Sequence, residues 1–507
     1  MLRRTLPLAS LLLATPALAQ TPPDNGGPPA TTPDQPTPPT PPTPPTPPTP
    51  PTPPTTAVIV EPTPPAPPEK KDALPVHSKF DFTLYGFVEA DGIFDTTQGL
   101  GDLAGNSTIA RPGTYTGNHG QTTFGARNSR IGIKTGAPEY NGIKASAQLE
   151  MDFLGNQAGS PGAVYTTNTG GTATLVSEQS FWQNPTFRFR HMNVKLETSA
   201  VDILIGQSWQ LFGWQTMAHP NTVQIQGVAG QIYSRSPQIR LSKKIDTGAA
   251  TIELAVAASR PPQRASATPD GQAGIKVSLN KMKAWHTAGS TGSALDSAAI
   301  GVSVVGRRFA VDDFSAAPGG QVVKNGYGLS IDALLPIVPA TKEHHENALT
   351  LTGSFVTGAG IADLYQSLSG GVGNPALPNP AMAMPAPVYT PNVDPNMVQW
   401  YADIVNGTFS LHPVQWTSYI VGLQYYLPPA GHTWISANYS HMSSDNAHYF
   451  GAANKVWDSE DWADGNLMFD ITPAVRMGAE LSWTDQTFVD KKDATDYRVQ
   501  YSAFFLF

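Results

Sequence analysis

The sequence predicts an all-β protein: a 16-stranded antiparallel transmembrane β-barrel behind an N-terminal proline-rich, disordered or polyproline II arm. Three observations predict it. The chain ends in a strand that stops on an aromatic residue. Long and short connections alternate along residues 80–507. The first nineteen residues have the form of an export signal.

The export signal comes first in the chain. Met1-Leu-Arg-Arg-Thr is a basic start, Leu6 to Leu18 is a short apolar run, and Ala17-Leu18-Ala19 is a small-residue cleavage site. The run is too short to span a bilayer, and no later stretch approaches eighteen apolar residues. Residues 1–19 are therefore expected to be removed. Without Arg3 and Arg4 the mature chain carries 29 Lys and Arg against 39 Asp and Glu. That acidic excess argues against a nucleic-acid partner. There is no cysteine, so an exported form relies on no disulfide.

Residues 20–79 form the arm. From Thr37 to Thr55 the unit Thr-Pro-Pro repeats. Proline fixes φ and removes the backbone donor, so neither helix nor sheet can form. A polyproline II rod rises about 3.1 Å per residue, and some 45 residues would reach on the order of 140 Å. Such an arm serves as a solvated spacer or as a tether touching the cell wall.

Residues 80–507 form the barrel. In the closing strand Val499, Tyr501, Ala503, Phe505 and Phe507 share one face, and Arg498, Gln500 and Ser502 the other. Period-two alternation is a strand, and a strand in lipid must belong to a closed barrel because no edge can stay unpaired. Ile143–Phe153 and Val475–Thr484 alternate as cleanly. Long connections fall near 96–121, 155–185, 210–231, 260–272, 310–325, 358–413, 443–465 and 485–495. Short ones fall near 136–142, 198–200, 244–249, 428–432 and 472–474. Long loops at one end and short turns at the other are the barrel signature. Two turns, near 286–297 and 336–347, are long for their class, which leaves eighteen strands as the alternative count. Sixteen strands put both termini on the periplasmic side of a bacterial outer membrane and enclose an aqueous lumen. Phe82, Tyr85, Trp285, Trp416, Tyr425, Tyr426, Trp434 and Trp483 lie near strand ends, as interfacial girdles require.

Several segments carry a resemblance. They are Tyr85-Gly86-Phe87, Ala126 to Thr135, Glu150 to Gly155, Phe187-Arg-Phe-Arg-His191, Ile205-Gly-Gln-Ser-Trp209 and Arg235-Ser-Pro-Gln-Ile-Arg240. Over about 80–245, and again in the closing strand, the chain resembles the DcaP-like family of trimeric outer-membrane porins. The resemblance implies a homotrimer in outer-membrane lipid that passes small anionic solutes, typically dicarboxylates. The arm departs from it, since members often carry a helical coiled coil there, and helical bundling of a trimer is then in doubt.

The residues themselves point to the same chemistry. A pore needs a constriction and a field across it. The third long loop is expected to fold inward. Its Gln210, Gln215, Asn221, Gln224 and Gln226 are candidates to hydrogen-bond solute, and Leu211, Phe212, Trp214 and Met217 to pin it or line a slide. Taking Ile131, Ile133, Phe187, Phe189, Ile239 and Leu241 as outward puts Arg130, Lys134, Arg188, Arg190 and Arg240 inward. Parity slips after Arg127 and after Arg190 imply β-bulges, which would turn Arg127 and His191 inward too. Guanidinium forks suit carboxylates, and clustered bases in a narrow lumen concentrate anions. The competing role for these bases is pairing with Glu150, Asp152, Glu197 or Asp202.

Other constellations carry less. Asp458, Glu460, Asp461 and Asp464 read as a solvated acidic loop whose spacing matches no calcium loop. His344-His345 sits in a turn beside Glu343 and Glu346. No nucleophile elbow, phosphate loop or zinc spacing is present, and His441-Met442-Ser443 is the one local His/Ser pair worth naming. No cofactor, metal or catalysis is expected. The alternative to a porin is a barrel-anchored adhesin or tether that works through the arm or the 358–413 loop. That loop has few charges and also suits a plug over the mouth.

Overall fold

The computed structural model describes residues 80–98, 109–155, 164–166, 172–174, 185–224, 226–262, 266, 268–312, 321–366, 368, 398–402, 409–449 and 457–507. The signal segment, the proline-rich arm and the greater part of 358–413 lie outside the described residues.

Sixteen antiparallel strands close into a barrel. β1 is Asp81–Asp95 and β2 lies in two pieces, Gln121–Gly125 and Arg130–Gly136, both paired with β1. Lys144–Asp152 (β3), Arg188–Glu197 (β4), Asp202–Trp209 (β5), Arg235–Asp246 (β6), Ala250–Ser259 (β7) and Asp270–Ala288 (β8) follow. Gly292–Asp312 (β9), Gln321–Val338 (β10), Leu349–Ala359 (β11) and Gln415–Leu427 (β12) continue the wall. Thr433–Ser443 (β13), Trp457–Thr472 (β14), Val475–Phe488 (β15) and Asp493–Leu506 (β16) complete it. β16 pairs back onto β1, from Phe87 opposite Leu506 to Asp95 opposite Arg498, so no edge is left open.

Both expected bulges are present. Between the Asp91–Gly125 and Phe87–Arg130 pairs, four residues of β2 (126–129) stand opposite three of β1. Ser129 Oγ fills the gap by accepting from Glu89 N at 2.9 Å. In β4, His191 faces Glu150 while Phe189 faces Met151, so Arg190 is the extra residue. Arg190 and His191 are consequently both buried on the lumen side.

The two faces of the wall differ as the alternation requires. Tyr501, Phe505 and Phe507 are exposed outward, and Arg498, Gln500 and Ser502 are buried inward. Leu481, Ile435, Val421, Val256 and Ile239 extend the outward apolar surface around the ring. An exposed apolar band of this extent is a surface for hydrocarbon rather than water. Among the described residues no helix is long and apolar enough to cross a membrane, which bears on helices alone.

Three expectations are corrected. The turn near 286–297 is only Gly289–Thr291, because β8 runs to Ala288 and β9 starts at Gly292, which settles the count at sixteen. Asp458, Glu460, Asp461 and Asp464 are not a loop. They lie on β14, with Glu460 and Asp464 buried inward beside Trp462; Asp461 on the outward face and Trp462 on the inward one hide the alternation that marks a strand. Of the supposed girdle, Trp416, Tyr426 and Trp434 are fully buried inside, and Trp285 packs against that inner group. Tyr85 donates to Glu150 Oε2 at 2.9 Å. Position near a strand end does not fix the face; parity does, and Trp434 shares parity with Ser436 and Asn438.

Candidate functional site

After Trp209 the chain leaves the wall and crosses the lumen. Segment 210–234 returns to the wall only at β6. It touches β8 and β9 first: Phe212 N donates to Gln272 Oε1 at 2.9 Å, Gly213 N to Ser303 Oγ at 2.9 Å, and Trp214 Nε1 to Val302 O at 3.0 Å. The Trp214 indole lies on Gly274 and Gly301, where added Cβ atoms would stand 2.9 and 2.6 Å from the ring. The segment then meets the opposite side. Trp434 Nε1 donates to Asn221 Oδ1 at 2.9 Å, and Ser436 and Asn438 donate to Asn221 O at 3.0 and 2.7 Å. Val223 N reaches Asn466 Oδ1 and Gln224 N reaches Glu480 Oε2, both at 2.9 Å.

This corrects the reading of the loop amides. Gln210, Asn221, Gln224 and Gln226 are buried. Gln210 accepts from Gln272 and donates to Ser236, Gln224 donates within the loop, and Gln226 donates to Asn128 and accepts from Arg188. A segment crossing a lumen has no ladder partner, so side-chain amides satisfy its polar groups and the wall's. Gln215, which also donates to Ile232 O, lines open space. Leu211 and Phe212 are fully buried; Phe212 joins an apolar cluster, and Leu211 and Trp214 pack on Ala255 and Ala257.

Below this loop, toward the short turns, lies a cavity of about 880 Å³. Its walls hold Arg130, Lys134, Arg190, Lys244 and Lys276 against Glu150, Glu253 and Asp296, with His191, Trp209, Trp214 and Tyr233 at its upper end. Arg190 Nε stands 2.8 Å from Glu150 Oε1, its Nη1 3.2 Å from Asp152 Oδ2, and its Nη2 3.2 Å from Tyr233 Oη. Arg130 Nε is 3.6 Å from the same Glu150 oxygen and lies over Phe87. Lys134 lies over Tyr85 at 4.8 Å. Lys276 pairs with Glu253 at 2.8 Å and lies over Trp214.

Thus Arg130, Lys134, Arg190 and His191 come together at one cavity. Arg188 faces inward but is held by Asp152 at 2.9 and 2.6 Å and by Gln226 at 3.1 Å. Arg240 is bound to Gln238 and to the Trp209 carbonyl, away from the cavity lining. Arg127 lies at the β2 break, where its carbonyl accepts from Phe153 N. The pairing role weighed for these bases therefore holds for Arg188 and Arg190. Lys276 and Lys244 were missed in the sequence reading. Lys276 was legible, since Ile275, Val277 and Leu279 turn outward and leave it on the lumen face.

Above loop 210–234, toward the long loops, apolar side chains pack against the loop. Segment 361–368 lies on the loop: Tyr233 N donates to Leu364 O and Gln366 N to Gln231 O, each at 2.9 Å. Phe212, Ile232, Phe309, Leu364, Trp416 and Trp457 pack there into one buried apolar cluster. Arg307 fastens the segment, with Nη2 2.9 Å from Asp363 Oδ2 and Nε 3.0 Å from Asp270 Oδ2.

The remaining candidates are engaged elsewhere. His441 Nδ1 is 2.9 Å from Asp461 Oδ1, and His344 Nδ1 is 3.2 Å from Glu346 Oε1. In the Pro339–Ala348 turn, burial against Trp285 holds the His345 imidazole below its ordinary pKa, with His432 adding to the effect. Among the described residues no three His, Cys, Asp or Glu side chains gather as a metal site.

No family model matches this chain, and no curated protein matches it. Solved structures do. The crystal structure of the outer membrane channel DcaP of Acinetobacter baumannii is similar at a TM-score of 0.56 and 16% identity, over 84% of this chain and 97% of that one. The anion-selective porin from Comamonas acidovorans matches at a TM-score of 0.44 and 12% identity, over 85% and 100%. OmpT of Vibrio cholerae, in its trimer form, matches at 0.45 and 9%, over 84% and 99%. The likeness to DcaP is one of fold alone, and the other two scores are too low to add to it.

Proposed function

We propose that this chain is an outer-membrane porin through which small hydrophilic solutes diffuse passively, with a bias toward anions such as dicarboxylates. The observation that carries the reading is the charge of the cavity under loop 210–234: five Lys and Arg side chains line it against three carboxylates. In a narrow, low-dielectric enclosure such an excess raises the local concentration of anions. Arg130 reaches a carboxylate only at 3.6 Å and Lys134 lies over an aromatic ring, and both are assigned the attracting role. Arg190 keeps Nη2 on a phenol rather than a carboxylate and is assigned a shared one. The preference for dicarboxylates rests on the guanidinium fork and on the DcaP-like motifs of residues 80–245.

In the same reading residues 1–19 direct export, residues 20–79 form a periplasmic spacer able to touch the cell wall, and residues 80–507 form one barrel of a homotrimer in lipid. Both termini are then periplasmic.

Reconstitution into a planar bilayer tests this. Conductance arriving in triplets and a reversal potential of anion-selective sign under a KCl gradient are expected. A barrel that conducts nothing, or prefers cations, would overturn the proposal.

A further inference from the structure

The side of the lumen formed by β13 to β16 carries carboxylates and amides beside two buried arginines, Arg476 and Arg498. Asn438 faces Asp464, Asn466 faces Glu480, and Glu480 faces Gln500 across successive strands. Asp464, Glu480 and Gln500 are 7%, 2% and 0% exposed. Three of their oxygens, Asp464 Oδ2, Glu480 Oε1 and Gln500 Oε1, have no hydrogen-bond partner among the described residues.

Where each oxygen points follows from what the other end of its group does. Asp464 Oδ1 turns toward β13, accepting from Asn438 N at 3.0 Å and from its Nδ2 at 2.7 Å. Oδ2 is therefore left toward β15. Gln500 Nε2 turns toward β1, donating to Asp91 Oδ1 at 3.3 Å and to Ser502 Oγ at 3.2 Å. Its Oε1 is likewise left toward β15. Glu480 stands on β15 between them, its Oε2 occupied by Gln224 N. Same-face neighbours on adjacent strands, including diagonal ones, lie within about 8 Å of each other, which puts Glu480 next to Asp464 on one side and Gln500 on the other. Gln224 Oε1, on the loop that Glu480 holds, is buried and without a partner too.

Two adjacent buried carboxylates need counter-charge, and the cation within electrostatic reach of Glu480 is Arg498. The neighbouring cation is already committed, since Arg498 is bound to Asp95 at 2.6 and 3.0 Å. We propose that Asp464, Glu480 and Gln500 hold a hard divalent cation, calcium by preference, between β14, β15 and β16. Calcium takes six to eight oxygens at about 2.3–2.6 Å in irregular geometry, and two carboxylates match its charge. The side chains supply three oxygens, Gln224 is placed to supply a fourth, and water completes the shell. Because Glu480 also anchors Gln224 N, the ion would fix the loop to the wall on the side opposite the basic cavity.

Terbium luminescence on the full-length protein in detergent tests the site, since Trp462 is fully buried on the same inward face two residues before Asp464. Tryptophan-sensitised emission at one terbium per chain is expected, displaced by calcium at lower concentration than by magnesium. Asp464→Asn and Glu480→Gln should each weaken binding about tenfold or more, and the exposed-turn variant Glu343→Gln should not. Gln500→Met, which keeps both charges, should weaken it less and guards against variants that fail to fold. An absence of sensitised emission from the unaltered protein would overturn the proposal. So would emission that survives in a folded double variant, and either result would mean that the acids share protons instead.

Discussion

Arg190 and Glu150 form a buried ion pair across β3 and β4, Nε to Oε1 at 2.8 Å, at the point where the β4 bulge turns two successive side chains into the lumen. Glu150 also receives the Tyr85 hydroxyl and lies near Arg130, so one carboxylate neutralises the upper wall of the cavity. Glu150→Gln should strengthen the anion preference by removing that charge. It should also lower barrel stability by roughly 3–5 kcal/mol, the usual cost of leaving one partner of a buried pair behind. Reversal potentials and urea titration of vesicle-folded protein read the two effects.

Arg130 and Lys134 should matter more to selectivity than Arg188. The first two line the cavity, whereas Arg188 already has both ends of its fork on Asp152. The double variant Arg130→Ala, Lys134→Ala should move the reversal potential toward cations, and Arg188→Ala should move it less. An equal or larger shift from Arg188→Ala would remove the attractor assignment.

Arg307 ties segment 361–368 to the wall through Asp363 and the Gly360 carbonyl. Asp363→Ala leaves Arg307 with Asp270 and the Gly360 carbonyl and should loosen the apolar cover over loop 210–234. The expected result is larger or noisier single-channel current in planar bilayers; unchanged current would show that the cover is held by its apolar contacts.

Gly301 and Gly274 make the seat for Trp214. Gly301→Val should dislodge the indole and its bond to Val302 O, freeing the loop without altering any charge. Conductance should rise while the sign of the reversal potential stays as it was.

Leu481 faces outward at 58% exposure and Ser482 inward at 3%. Leu481→Arg should cost about 2–4 kcal/mol if it lies near the bilayer midplane, and Ser482→Ala far less. Urea-dependent folding into vesicles measures both.

The outward and inward faces, the closing strand, the loop and turn ends and the two bulges were legible in the sequence, because the period of a strand is two and any slip in it is visible. That parity and its slip after Arg190 placed Arg130, Lys134, Arg190 and His191 on the lumen side. The acids of β14 were misread for the same reason in reverse: Asp461 faces outward and Trp462 inward, which inverts the alternation there. Parity gives a face but no partner. Pairing of neighbouring strands decided that Arg188 is spent on Asp152 and that Arg240 bends away to a backbone carbonyl, and only closure of the ring could decide that Asn221 answers strands more than two hundred residues later. Those contacts join positions distant in the chain. Local chemistry along the sequence fixes which way each side chain turns, and the curvature of the closed wall fixes what it meets.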